Sequence, residues 1–142
     1  MNEQPRRLAA EERSRLEEEL RRVLDARAEI LFAVLHGSYI EGAFRDIDVA
    51  VGVDHARVGR LDAPDYEARL AALLEHAVRQ PVDVRVAEFA PLGFRQAVTR
   101  GRLLLAHDPE AWFTFRERTW TEYFDFAPVA REALADLLRP GS

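Results

Sequence analysis

The sequence predicts a single α+β domain, and three observations carry that reading. Short apolar runs bounded by turn residues alternate with one-sided helical patterns, as strands and packed helices do. No linker, internal repeat or low-complexity tract interrupts the alternation. The 142 residues are 48% hydrophobic and 32% charged, a length and balance that suit one domain with its own core.

Taken in order, residues 8–27 carry Leu8, Leu16, Leu20, Val23 and Leu24 among dense Glu and Arg. That spacing predicts a helix with one buried stripe and a solvated opposite face. Strands are expected at about 29–36 and 46–53, where apolar residues run together. A second helix follows over 64–79, its stripe formed by Leu70, Leu73, Leu74 and Val78. Residues 81–87 set Val82, Val84 and Val86 against Asp83 and Arg85, the two-residue period of a half-buried strand. A short helix near 91–99 and an apolar segment at Leu103, Leu104 and Leu105 come next. From Pro109 onward the pattern is helical, and Pro128 predicts a break into two pieces, because proline removes a donor and crowds the preceding turn. The expected organisation is an N-terminal helix over 1–27, a core over 28–107, and C-terminal helices over 108–142 packed on that core.

Composition narrows the function classes. There is no cysteine, which excludes a disulfide framework, thiolate catalysis and cysteine–zinc sites. All 20 basic residues are arginine, set against 25 acidic ones. The net charge of −5 argues against nucleic acid as a broad electrostatic partner. The first residues lead into a charged helix rather than a signal peptide, and no apolar run is long enough to span a membrane. A cytoplasmic protein is expected.

The chemistry concentrates in residues 36–51, which open His36-Gly37-Ser38 and continue through Asp46-Ile47-Asp48. Glycine permits a tight turn and close backbone approach to a ligand. Ser38 with Glu41 also spells a capping box, so Ser38 has a second reading as the start of a short helix ending at Gly42. A helix start is itself a phosphate site, so the two readings are compatible. Asp46 and Asp48, one residue apart at the head of an apolar run, share one strand face. Two carboxylates held together repel unless a cation compensates them, which is the arrangement a divalent metal needs. Phosphoryl-type chemistry asks for a third carboxylate, and Asp83 in its valine strand is the candidate; the alternative is that it pairs with Arg85 or faces water.

Gly37-Ser38 followed by Asp46-x-Asp48 resembles the signature of the polymerase β nucleotidyltransferase superfamily, and the short chain resembles its minimal members, the MntA-type antitoxins paired with HEPN-domain toxins. Asp83 matches the third aspartate of that family. One departure stands out: the family places a serine directly before the first aspartate, where this chain has Arg45, and the connection is shorter. The resemblance implies a small mixed sheet flanked by helices. It implies Asp46, Asp48 and Asp83 as catalytic and metal-binding residues for two Mg²⁺ ions, and Gly37 and Ser38 as nucleotide-binding residues. The implied reaction is transfer of AMP from ATP to a hydroxyl, with a tyrosine of a partner HEPN ribonuclease toxin as the favoured acceptor. Two alternatives stay open: an antitoxin that masks its partner without chemistry, and a small-molecule transferase of the aminoglycoside type.

An aromatic cluster, Trp112, Phe113, Phe115, Trp120, Tyr123, Phe124 and Phe126, is the other unusual feature. It either packs the C-terminal helices on the sheet or, with Arg116 and Arg118, forms a partner interface. The four histidines show no metal-ligand spacing, and His36 is read as strand-end packing.

Overall fold

The two central apolar runs become the two central strands of a four-stranded sheet. In the computed structural model, which describes residues 4–139 apart from the side chains of Ala127 and Ala130, the chain order is α1 (Ala10–Asp25), β1 (Ile30–His36), α2 (Ser38–Glu41), β2 (Ile47–Val53), α3 (Ala63–Val78), β3 (Val82–Val86), α4 (Leu92–Thr99), β4 (Arg102–Ala106) and α5 (Pro109–Leu138). The ends of the expected 1–27 and 108–142 stretches thus lie outside the described residues. The sheet order is β3-β2-β1-β4. β1 runs antiparallel to β2 and β4, whereas β2 runs parallel to β3, with α3 as the crossover. This is a mixed sheet flanked by helices, the α+β architecture the resemblance implied.

Layering explains the burial pattern of each strand. One sheet face receives α1 and α3: Leu16, Leu20, Leu24, Leu70 and Leu74 pack against Ile30, Leu35, Ile47, Val49, Val51, Val82 and Val84. The other face is covered over β1 by α4 and α5, through Val98, Phe115, Phe94 and Trp112 against Phe32, Val34 and Ala50. Strands β1 and β2 are therefore buried on both sides and read as continuous apolar runs. Strand β3 sits at the edge, with strict alternation of buried valines and exposed Asp83 and Arg85. Its second face is open.

Helix α5 corrects the expected break. It runs as one helix through Pro128. Pro128 is exposed, so the carbonyl it cannot serve need not be buried without a partner and the helix can continue. The aromatic cluster packs on the sheet only in part. Phe115 is buried, and Trp112 lies 5.1 Å ring to ring from Phe32. Phe113, Phe124 and Phe126 are 63%, 64% and 58% exposed, too open to be core.

Candidate active site

Strand register gathers the acidic residues. His36 pairs with Asp48 across β1 and β2, and Asp48 pairs with Asp83 across β2 and β3. The neighbours of these residues, Leu35, Ile47, Val49, Val82 and Val84, all point into the α1/α3 core. His36, Asp48 and Asp83 therefore form a row on the opposite face, one strand spacing apart, about 4.8 Å. Asp83 stands on the open edge of that row, and Asp48 is half-buried in the middle.

Asp46 departs from its expected place. It sits in a bend before β2 and is exposed. The ladder starts one residue later, where the Ile47 N–H donates to the Pro81 carbonyl at 2.9 Å. Just upstream, Phe44 exchanges both backbone hydrogen bonds with Arg6 at 2.6 and 2.8 Å, which draws the chain away from the sheet. The Asp46 carboxylate is thus carried on a loop, while those of Asp48 and Asp83 are carried on strands.

The turn at Gly37 also differs from the capping-box reading. Gly37, not Ser38, caps α2, and no side chain caps it. Gly37 has φ +77°, a conformation that glycine adopts without steric cost. A Cβ there would lie 2.3 Å from Asp48 Oδ2, so the turn presses directly on the carboxylate. Ser38 becomes the first helical residue, with its exposed hydroxyl not used as a cap. Ser38, Arg45, Asp46 and Asp48 share an open pocket of about 260 Å³ with Pro5, Ala43 and Phe44. A larger cavity of about 850 Å³ lies at the other end of the sheet, between Asp54, Glu88 and α5, away from the carboxylates.

The electrostatics of the row follow from burial and repulsion. The Asp48 carboxyl is pushed up to about 6, first by burial, then by the charges of Asp83 and Asp46. Burial lowers the His36 imidazole below its ordinary value, against the opposing pull of Asp83. Its ring stands edge-on to Phe94 at 5.1 Å. Arg85 does not neutralise Asp83: no ion pair joins them among the described residues, and the guanidinium lies over Phe94, 5.7 Å from the ring centre. The pairing alternative for Asp83 is thereby set aside.

Among the described residues, no group of three or more His, Asp or Glu side chains is gathered closely enough to hold a metal ion as it stands. The donor chemistry nonetheless suits Mg²⁺: hard carboxylate oxygens that no arginine among the described residues pairs, with Asp48 raised by burial and by its two acidic neighbours.

Two residues of α1 that the sequence offered only as part of a solvated face reach the turn beside the site. Arg13 donates to the carbonyls of Tyr39 (2.7 Å) and Gly42 (2.5 Å). Glu17, 8% exposed inside a Glu-Glu-Glu run, accepts from the Tyr39 hydroxyl at 2.9 Å. Their four-residue spacing placed both on one helix face, but nothing local named the partners.

Residues 18–110 match the family profile described as polymerase beta, nucleotidyltransferase. No curated protein matches the chain. Among solved structures, one of the toxin–antitoxin MntA–HepT is similar at 20% identity and a TM-score of 0.67, over 89% of this chain and 99% of the other. A toxin–antitoxin structure with AMP-PNP is similar at 22% identity and a TM-score of 0.68, over 87% of this chain and 98% of the other. A third holds a tri-AMPylated Shewanella oneidensis HEPN toxin in complex with an MNT antitoxin, at 22% identity and a TM-score of 0.68, over 89% and 98% of the two chains. At these identities the likeness is one of fold.

Proposed function

This chain belongs to the polymerase beta nucleotidyltransferase family, and from that premise we propose that it transfers AMP from ATP to a tyrosine hydroxyl of a partner HEPN-domain toxin, acting as its antitoxin. The observation that carries the reading is the row of Asp48 and Asp83 facing the open edge of the sheet, with the Gly37 turn in contact with Asp48. The AMPylated toxin beside an MNT antitoxin in a structure of the same fold supports the choice of acceptor. The proposed setting is the cytoplasm, where ATP and Mg²⁺ are supplied; among the described residues no helix is long and apolar enough to cross a membrane.

Asp46, Asp48 and Asp83 would hold the Mg²⁺ ions, which when bound neutralise the triphosphate and acidify the attacking hydroxyl. The Gly37 backbone N–H and the Ser38 hydroxyl hold the triphosphate beside Asp48. The acceptor oxygen attacks the α-phosphorus in line, the bond from that phosphorus to the bridging oxygen breaks, and pyrophosphate leaves. Asp83, exposed at the edge of the row, takes the proton of the acceptor hydroxyl. Most of the rate comes from alignment and charge neutralisation. Incubating the chain with its purified HEPN partner, Mg²⁺ and ATP should add AMP to the partner, read as a mass gain by intact mass spectrometry with the site mapped to tyrosine. A partner inhibited but unmodified overturns the reading in favour of masking by binding.

Helix α5 supports a partner-bound state. Leu134, Leu137 and Leu138 fall on one side by their i, i+3, i+4 spacing and are 56%, 82% and 73% exposed, a stripe of the kind that docks in an apolar groove. We assign this stripe to the HEPN partner. Replacing Leu137 and Leu138 together with serine should weaken the complex by about tenfold or more, as loss of buried apolar anchors does. The melting temperature of the isolated chain should stay put, because neither side chain is part of the core. Unchanged affinity by calorimetry would remove the stripe from the interface.

A further inference from the structure

We infer that Arg13 is a positioning residue of the nucleotide site: from α1 it clamps the turn at residues 37–42 and so holds Gly37 and Ser38 against Asp48. The inference rests on the nucleotidyltransferase reading above and assigns a task to the N-terminal helix.

The turn is weak by itself. Its helix is a single turn, Ser38–Glu41, closed by Ile40 N–H to the Gly37 carbonyl at 3.3 Å and Gly42 N–H to the Ser38 carbonyl at 3.1 Å. One helical turn fixes many dihedrals for few hydrogen bonds, so it does not persist without outside support. Both flanking glycines stand at positive φ, +77° and +143°, and glycine gives up more conformational freedom on folding than any other residue.

Arg13 supplies the outside support. Its planar fork donates to two carbonyls at the far end of the turn, those of Tyr39 and Gly42, at 2.7 and 2.5 Å. The same guanidinium lies over the Tyr39 ring at 4.3 Å and near the Phe44 ring at 5.8 Å. One helical turn further on, Glu17 accepts from the Tyr39 hydroxyl and, with both oxygens, from Arg102 at 2.7 and 2.9 Å. Tyr39, fully buried, is gripped at its carbonyl and its hydroxyl by two residues of one helix. Arg13 does not line the pocket that holds Ser38, Asp46 and Asp48, so it acts through the backbone rather than on a ligand. Its effect reaches the carboxylate because the near end of the turn touches Asp48, with no room even for a Cβ at Gly37.

The test uses the full chain and three readouts: amide hydrogen exchange, calorimetric affinity for Mg·ATP, and thermal melting. R13Q should speed exchange across residues 38–44 while the β1 and β2 amides stay protected. It should weaken Mg·ATP binding by roughly tenfold at a temperature well below its melt, the scale expected when a binding group drifts from its place. R13K keeps the charge and one carbonyl contact and should fall between parent and R13Q in both readouts; it carries the test alone where R13Q does not fold. A lowered melting temperature with unchanged turn exchange and unchanged affinity would overturn the inference and leave Arg13 a packing residue. Faster turn exchange in R13Q, in a background where the parent itself binds no Mg·ATP, would confirm the clamp yet sink the nucleotide reading, and with it Arg13's role there.

Discussion

Replacing Asp83 with alanine should reduce AMP transfer to the partner by about a thousandfold, within the range for loss of a general base, while binding of the partner and of the nucleotide largely survives. The fold should tolerate the change. Asp83 is exposed on an edge strand, and among the described residues no arginine pairs with it, so its removal leaves no buried charge behind. Its proposed task is to take a proton from the acceptor, which comes after docking. Intact mass spectrometry of the partner reads the loss directly. The masking alternative requires the opposite pattern: Asp83→Ala would silence the toxin as well as the parent does, with no mass gain in either case. Those two outcomes do not overlap.

Removing the other carboxylates should act at an earlier step. Asp46→Ala/Asp48→Ala should lose Mg·ATP binding by about a hundredfold or more, since two charge-bearing ligands disappear together. Equal affinity for parent and variant by calorimetry would discard the metal-site reading. The milder Asp48→Asn carries a further consequence in the metal-free protein. Burial and the charges of Asp83 and Asp46 raise the Asp48 carboxyl from 3.8 to about 6, so the fold favours its protonated form. That favourable contribution is complete below pH 3.8 and is lost as pH rises through about 6, leaving a charged group that opposes folding at neutral pH. A shift of that size corresponds to at most about 3 kcal/mol, and solvent screening at a half-buried site brings it to roughly 1–2 kcal/mol. Asp48→Asn in EDTA should therefore be more stable than the parent by that amount at pH 8, with the gain fading as pH falls towards 4. Thermal melts across that window decide it. A large loss of stability would mean that Asp48 is neutralised by a cation of the protein itself, such as Arg45.

Much of the site was legible in the sequence because its signals are local. The alternation of Val82, Asp83, Val84, Arg85 and Val86 declares a strand with one wet face, and that is how β3 is built. The stripes of α1 and α3 likewise name Leu16, Leu20, Leu24, Leu70 and Leu74 as buried, whereas Leu73, expected in the α3 stripe, stands 47% exposed at its margin. Where a distant contact competes with the local pattern, the local reading fails. Asp46 reads as strand, but backbone bonds between Phe44 and Arg6, 38 positions apart in sequence, turn the chain away before the ladder begins. Ser38 and Glu41 spell a cap, but the contact between Gly37 and Asp48 sets the turn one residue earlier.

By itself, then, the sequence determined that Asp48 and Asp83 lie off the core face of their strands, which helices are one-sided, and that a glycine turn precedes two aspartates, since these depend only on local order and on the periods of strand and helix. The tertiary structure alone decided that β2 and β3 lie parallel in the register that sets Asp48 beside Asp83. It alone brought Arg13 and Glu17 onto a turn more than 20 residues away, and left the far half of α5 with an uncovered apolar face. Register, long-range side-chain hydrogen bonds and coverage are set by how whole layers pack, and no window of neighbouring residues contains that information.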